Sequence, residues 1–349
     1  MKKLIALIAL GLVSASAFAA SYDFYGSVRL NAFYGTNDKY LSGLGESDTD
    51  LEFGTQGNST IGANVKASDK LSATFELGLG TAEDGDNAVK NRLIYATYDF
   101  GSFKMKIGQD YTPTDFEPFS QVYFQDNALD GFGGVSAGRL GQIAFSFGDL
   151  DIALVANTQK DKTDYDVVLP KIEAAYNYKF GPASGKVFAG YQTYKYDNAT
   201  SDNTVNAYLV GLGTTVEIKP MVFNGVAWYG SNTGDYGLTW NVLNTANSSA
   251  GTYDLASDKD SKDFGVALEV GFSATKDVMF NVGYGYQRSD RDDWAKADGQ
   301  QSYYANAIIN LAKNFYITPE IGVLDYMKDS TDKKEGKKVY YGVQLKANF

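Results

Sequence analysis

Five carboxylates fall within one connecting stretch, Gln109–Arg139: Asp110, Asp115, Glu117, Asp126 and Asp130, with no lysine or arginine between Asp110 and Gly138. Tyr111, Phe116, Phe119, Tyr123, Phe124 and Phe132 are interleaved with them. So many aromatics argue against a disordered linker, and a long ordered loop is usually functional. Arg29, Arg92, Lys104, Lys106 and Arg139 lie in or beside alternating apolar segments. Acids fixed on a loop and bases fixed on a wall break no bonds by themselves. Across a water-filled gap they create a transverse field that sorts solutes by charge and dipole. The stretch is either a solvated surface excursion or an inward-folded constriction. Its aromatics and its place between the fifth and sixth strands favour the second.

Other chemistries are narrowed by what is missing. The chain has no histidine and no cysteine. A Ser-His-Asp hydrolase and the His-dependent outer-membrane proteases and phospholipases are excluded, as are disulfides and thiolate metal sites. No cofactor, nucleic-acid partner or catalytic residue is expected. The cluster Glu83-Asp84-x-Asp86 reads either as a divalent-cation site or, more simply, as solvated surface.

The elements that must position these charges are strands. Met1-Lys2-Lys3, an apolar Leu4–Val13 and Ala17-Phe18-Ala19 form an export signal over 1–19, leaving 20–349 as one barrel domain. Cleavage there removes two lysines and no acid from a chain already at −11. No later stretch approaches a transmembrane helix in length. The 26 Tyr, 21 Phe and 37 Gly against 6 Pro suit many strands instead. In Tyr22–Tyr34 the even positions are apolar or small and the odd ones mostly polar, and Phe264, Val266, Leu268, Val270 and Phe272 oppose Asp263, Gly265, Ala267, Glu269 and Gly271. Sixteen such segments can be traced.

Short connections alternate with long ones, as in a transmembrane antiparallel β-barrel with turns on the periplasmic side and loops outside. The polar faces carry Arg29, Lys66, Glu76, Arg92, Lys171, Glu173, Glu269 and Glu320, too many charges for a dry core. The apolar face therefore turns to lipid and the polar face to a wet lumen. The loop Ser231–Lys262 reads as exposed surface.

Several motifs resemble the general diffusion porins of Gram-negative bacteria. Val339-x-Tyr341-x-Val343-x-Leu345-x-Ala347-x-Phe349 resembles their last strand, whose final aromatic is an assembly signal. Asp23-Phe24-Tyr25-Gly26 resembles their first strand, and Asn91-Arg92-Leu93-Ile94-Tyr95-Ala96 the strand whose arginine points into the pore. Phe100-Gly101-Ser102-Phe103 followed by Ile107-Gly108-Gln109-Asp110-Tyr111-Thr112-Pro113 resembles the start of their constriction loop, and Gly138-Arg139 its end. The resemblance implies a homotrimer, delivery by the barrel assembly machinery to the outer-membrane lipid, and passive passage of ions and small hydrophilic solutes. It implies an acidic loop (Asp110, Asp115, Glu117, Asp126, Asp130) facing a basic wall (Arg29, Arg92, Lys104, Lys106, Arg139).

Departures shift the expected selectivity. Thr60 and Gln109 stand where two family arginines would be, and Phe116-Glu117-Pro118-Phe119 is only a loose relative of the loop-tip motif. Mild cation preference is expected, with an anion- or solute-selective porin, or a closed adhesive barrel, as alternatives. Arg139 has the parity of the lipid-facing Ile143 and Phe145, so an inward direction needs a bulge or an irregular strand start.

Overall fold

The computed structural model describes residues 20–79, 89–158, 165–167, 169–198, 201–240 and 250–349. The expected signal at 1–19 and the Glu83-Asp84-x-Asp86 cluster lie outside the described residues.

Eighteen strand segments form one antiparallel sheet, closed where Ser21–Asn37 pairs with Lys337–Asn348. Two of the segments are continuations. Asp48–Thr55 and Thr60–Lys66 pair with successive halves of Ser21–Asn37. Tyr165–Asp166 and Lys171–Phe180 both lie along Ala183–Asn198. The barrel therefore has sixteen staves, as the alternation predicts, and closure leaves no unpaired edge in lipid. Among the described residues no helix is long and apolar enough to cross a membrane.

Side-chain parity gives the wall two faces. On Lys262–Ser273, Phe264, Leu268, Val270 and Phe272 are exposed, whereas Asp263, Ala267 and Glu269 are buried. Phe280, Val282 and Tyr284 repeat the pattern on Val278–Asp290, opposite buried Asn281 and Gln287. An apolar outer band around a polar inner face is the arrangement of a membrane-spanning barrel.

The loop boundary differs from the one expected. Gln109, Asp110 and Tyr111 complete the strand Lys104–Tyr111, which pairs with Arg139–Phe147 as far as Tyr111 opposite Arg139. The connection thus runs from Thr112 to Gly138. The second stave breaks at Gln56–Ser59, where Arg29 donates its N–H to Ser59 Oγ (3.0 Å) and Gln56 Nε2 is left to donate to the Val122 carbonyl (3.0 Å).

Candidate pore constriction

Three inner-face glutamates on three different staves accept hydrogen bonds from the backbone of the 112–138 connection. Glu173 Oε2 accepts from the N–H (3.1 Å) and hydroxyl (2.9 Å) of Thr114. Glu269 Oε2 accepts from the N–H (2.8 Å) and hydroxyl (2.5 Å) of Ser120. Glu320 takes the next two amides, Val122 N to Oε2 (2.8 Å) and Tyr123 N to Oε1 (3.0 Å). A carboxylate is the strongest acceptor for unpaired amides, so acids on the wall suit a segment that has no ladder partner of its own.

Two amides, a lysine and an indole continue the seam. Asn224, Asn306 and Lys186 donate to the carbonyls of Pro118 (2.9 Å), Ser120 (2.7 Å) and Pro113 (2.8 Å). Trp228 Nε1 donates to the Gly133 carbonyl (3.0 Å), and Gln287 accepts the Gly133 N–H (3.0 Å). Gly133 sits at φ +100 so close to Val266 and Tyr286 that a Cβ would strike their carbonyls. Tyr123 stacks on Tyr340 with ring centroids 3.9 Å apart.

The loop acids meet the remaining charges as follows. Asp126, at φ +59, forms an ion pair with Arg29 and also accepts from Gln344 Nε2. Asp110 pairs with Lys106 from within the same strand. Asp115 and Glu117 share Ser136 as a donor. Burial, reinforced by the Glu117 charge, pushes the Asp115 carboxyl well up; burial also raises Glu117. Asp130 accepts from Thr239 Oγ1 (3.0 Å) and is pushed up to about 7 by burial and by Glu117.

On the wall, Arg92 Nε bonds Glu76 Oε1 (2.5 Å). The strand register slips between Glu76 and Leu77, making Arg92 the extra residue of a bulge. The bulge breaks the parity Arg92 would share with exposed Ile94 and Tyr98 and keeps it on the Glu76 side, the polar face expected of it. Arg139 needs no bulge in its own pairing: it follows Gly138 at φ +81, and its guanidinium donates to Tyr111 Oη (2.9 Å), which Arg92 also reaches (3.5 Å). Lys104 lies apart, at the short-turn end of its strand beside Asp99 and Ser146. Lys346 is opposite Arg29 across the barrel closure. Among the described residues neither Arg139 nor Lys346 has a carboxylate within ion-pair distance.

The connection after Ser231 is only in part the exposed surface expected of it: Ala256 and Asp258–Asp260 are exposed, but its start is not. Thr233–Tyr236 is a buried helical turn, and Leu238, Trp240, Ala250 and Tyr253 are buried with it. Tyr236 Oη lies 3.1 Å from Thr114 Oγ1, Thr239 reaches Asp130, and Gln287 donates to the Thr239 carbonyl (3.1 Å) while accepting from Gly133. The two connections therefore pack together. Lys171, fully buried, joins them: its Nζ is 3.1 Å from Glu173 Oε1, donates to the Tyr236 carbonyl (3.1 Å) and lies 4.4 Å from the Tyr236 ring centroid. Tyr236, Trp240 and Tyr253 were the available signal, the same aromatic enrichment that marks the 112–138 connection.

Neither a protein-family model nor a curated protein matches the chain. Solved structures of similar fold are outer-membrane barrels. The outer membrane channel DcaP of Acinetobacter baumannii superposes with a TM-score of 0.72 at 20% identity, covering 96% of this chain and 98% of that one. OmpF of Salmonella typhi, in a complex with daunomycin, gives 0.64 at 13%, covering 94% and 97%. An anion-selective porin from Comamonas acidovorans gives 0.61 at 16%, covering 95% and 100%. At these identities the likeness is one of fold alone: a closed sixteen-stave antiparallel barrel.

Proposed function

We propose that the protein is a non-enzymatic outer-membrane porin, a homotrimer whose barrels pass ions and small hydrophilic solutes by passive diffusion. The 112–138 connection lies across the lumen and sets its narrowest section. The observation that carries this reading is the seam of Glu173, Glu269 and Glu320, inner-face side chains on three staves that hold consecutive parts of one connection. The packing of Tyr236 and Thr239 against the same connection supports a second contribution to the narrowing.

The pairings favour anions, opposite to the preference the charge count predicts. Asp110 and Asp126 are neutralised by Lys106 and Arg29, and Asp115, Glu117 and Asp130 are shifted toward their protonated forms. Arg139 and Lys346 have no carboxylate within ion-pair distance among the described residues. A unit charge about 10 Å from a permeating ion contributes roughly 0.4 kcal/mol at water's dielectric and about 1.7 at an effective value of 20, less in salt. Reversal potentials across a salt gradient should show anion preference. Arg139→Gln and Lys346→Gln should each lower the anion-to-cation ratio by a factor of roughly two to five, and Glu117→Gln should change it little. Cation preference in the wild type would restore the expectation from composition. Three variants matching the wild type would put these charges outside the conduction path and sink the constriction.

Phe349 is proposed as the signal read by the barrel assembly machinery. Its N–H donates to the Gly26 carbonyl (3.0 Å) and its carbonyl accepts from Gly26 N (2.8 Å), while the ring covers Gly26 and stays largely exposed. Two hydrogen bonds at a closed seam contribute little to folded stability beside the whole barrel. Deleting Phe349 should therefore leave refolding into vesicles near normal and lower the folded fraction in cells. Equal loss in both settings would make the residue a structural clasp only.

A further inference from the structure

On the outer face, where the apolar band meets the long connections, four neighbouring staves and three connections enclose a crevice of about 700 Å³. Tyr286 and Arg288 have the parity of exposed Val282 and Tyr284, Asp325 that of exposed Ile321, and Lys337 that of exposed Val339 and Tyr341. The crevice therefore opens toward the bilayer and not toward the lumen. Its lining holds five basic residues, Arg288, Lys296, Lys328, Lys334 and Lys337, against Asp38, Asp325 and Asp332, on a chain that is acidic as a whole.

The acids are already engaged. Asp332 pairs with Lys328 (2.7 Å). Asp38 accepts the amides of Tyr40 and Leu41 (both 3.0 Å), and Asp325 accepts from Met327 N (3.0 Å) and Gln301 Nε2 (3.1 Å). Arg288 is held by Asp290 (2.7 Å). Among the described residues Lys296, Lys334 and Lys337 have no carboxylate within ion-pair distance. Tyr284, Tyr303 and Tyr341, each four residues toward the barrel's middle from Arg288, Gly299 and Lys337, expose rings on the same face.

Resting on the reading of the chain as an outer-membrane barrel, we propose that this crevice seats a phosphate of an outer-leaflet glycolipid headgroup. The ammonium groups of Lys296, Lys334 and Lys337, none held by a carboxylate and that of Lys334 lying 5.4 Å from the Tyr40 ring centroid, complement a phosphate's charge, and the tyrosines and exposed apolar band below meet the acyl chain.

The test is native mass spectrometry of the purified full-length protein in detergent with lipid A, a phosphorylated glycolipid, and with its dephosphorylated form. Lys296→Gln/Lys334→Gln/Lys337→Gln should weaken lipid A binding about 100-fold, roughly fivefold for each lysine near the membrane surface. Lys259→Gln/Lys262→Gln/Lys276→Gln, the first two elsewhere on the rim and the third in a short turn at the opposite end, should bind as wild type, and dephosphorylated lipid should bind all three proteins weakly. Equal binding by the two triple variants overturns the proposal. Displacement of lipid A by about 10 mM inorganic phosphate would make the crevice a site for free anions and overturn it as a lipid seat. A changed number of subunits in the assembly with unchanged lipid binding would assign the face to a second copy of the chain and overturn it likewise. Single-channel conductance of the same preparations keeps the channel reading separate: a silent barrel that binds lipid A fails only the proposed function.

Discussion

Lys171→Met is expected to free two connections at once. Lys171 and Glu173 are both fully buried, and Met approximates the lysine stem without its charge. The substitution leaves Glu173 as a buried carboxylate whose cation is gone, and removing one partner of a buried pair typically costs roughly 3–5 kcal/mol. Closed antiparallel pairing holds the barrel itself, so the loss falls on what the pair secures: Thr114 through Glu173 and Tyr236 through Lys171. Amide exchange should accelerate by about 100-fold or more around Thr114 and Tyr236, with the staves unchanged. Channel recordings should show larger and noisier conductance. Lys171→Met/Glu173→Gln should recover part of the protection, because a neutral pair has no charge to strand. Wild-type exchange in the single variant would reduce the pair to an incidental contact.

The barrel was legible because a strand in a two-sided wall repeats every two residues, and the lipid face tolerates almost no polar group. Phe264 to Phe272 announce their face from sequence alone. What alternation cannot register is a break in the pairing. The Glu76/Leu77 slip turns Arg92 onto the Glu76 side against its parity, and Gly138 at φ +81 starts the Arg139 strand irregularly. Both arginines meet at Tyr111, a convergence no spacing rule contains.

The charges of the site were legible as residues and not as partners. Glu173, Glu269 and Glu320 stand out as inner-face acids, yet nothing local says that they receive amides from Thr114, Ser120, Val122 and Tyr123, far away in sequence. An acidic loop suggests a negative field, yet nothing local says that Asp126 pairs with Arg29 or that their surroundings raise Asp115, Glu117 and Asp130. The 232–261 connection was misread for a related reason. Its Asn, Ser, Thr and Asp content looks solvated, but Asp235 accepts the Tyr253 amide and Asn232 Oδ1 the Ser261 amide (2.9 Å), so polarity there serves burial.

The outward face can be tested by charge. Leu268 is 53% exposed, lies midway along Lys262–Ser273 and pairs across the wall with exposed Tyr284. Leu268→Arg puts a guanidinium into hydrocarbon and should cost roughly 2–4 kcal/mol if the site is at the bilayer midplane. Ala267 and Gly265 serve poorly as water-facing controls. Ala267 is fully buried, and a Cβ at Gly265 would stand 2.5 Å from the Trp228 ring, so arginine at either position would report steric conflict. Asn64 is the better choice: it is exposed, alternates with outward Ile61 and Val65, and gives up only one hydrogen bond, from Thr74 Oγ1 (2.9 Å). Asn64→Arg should cost about 1 kcal/mol or less. Urea titration of folding into phosphatidylcholine vesicles compares the two. A Leu268→Arg variant no less stable than Asn64→Arg would mean that lipid does not meet the Phe264–Phe272 face, and the barrel would have to be turned inside out or taken out of the membrane.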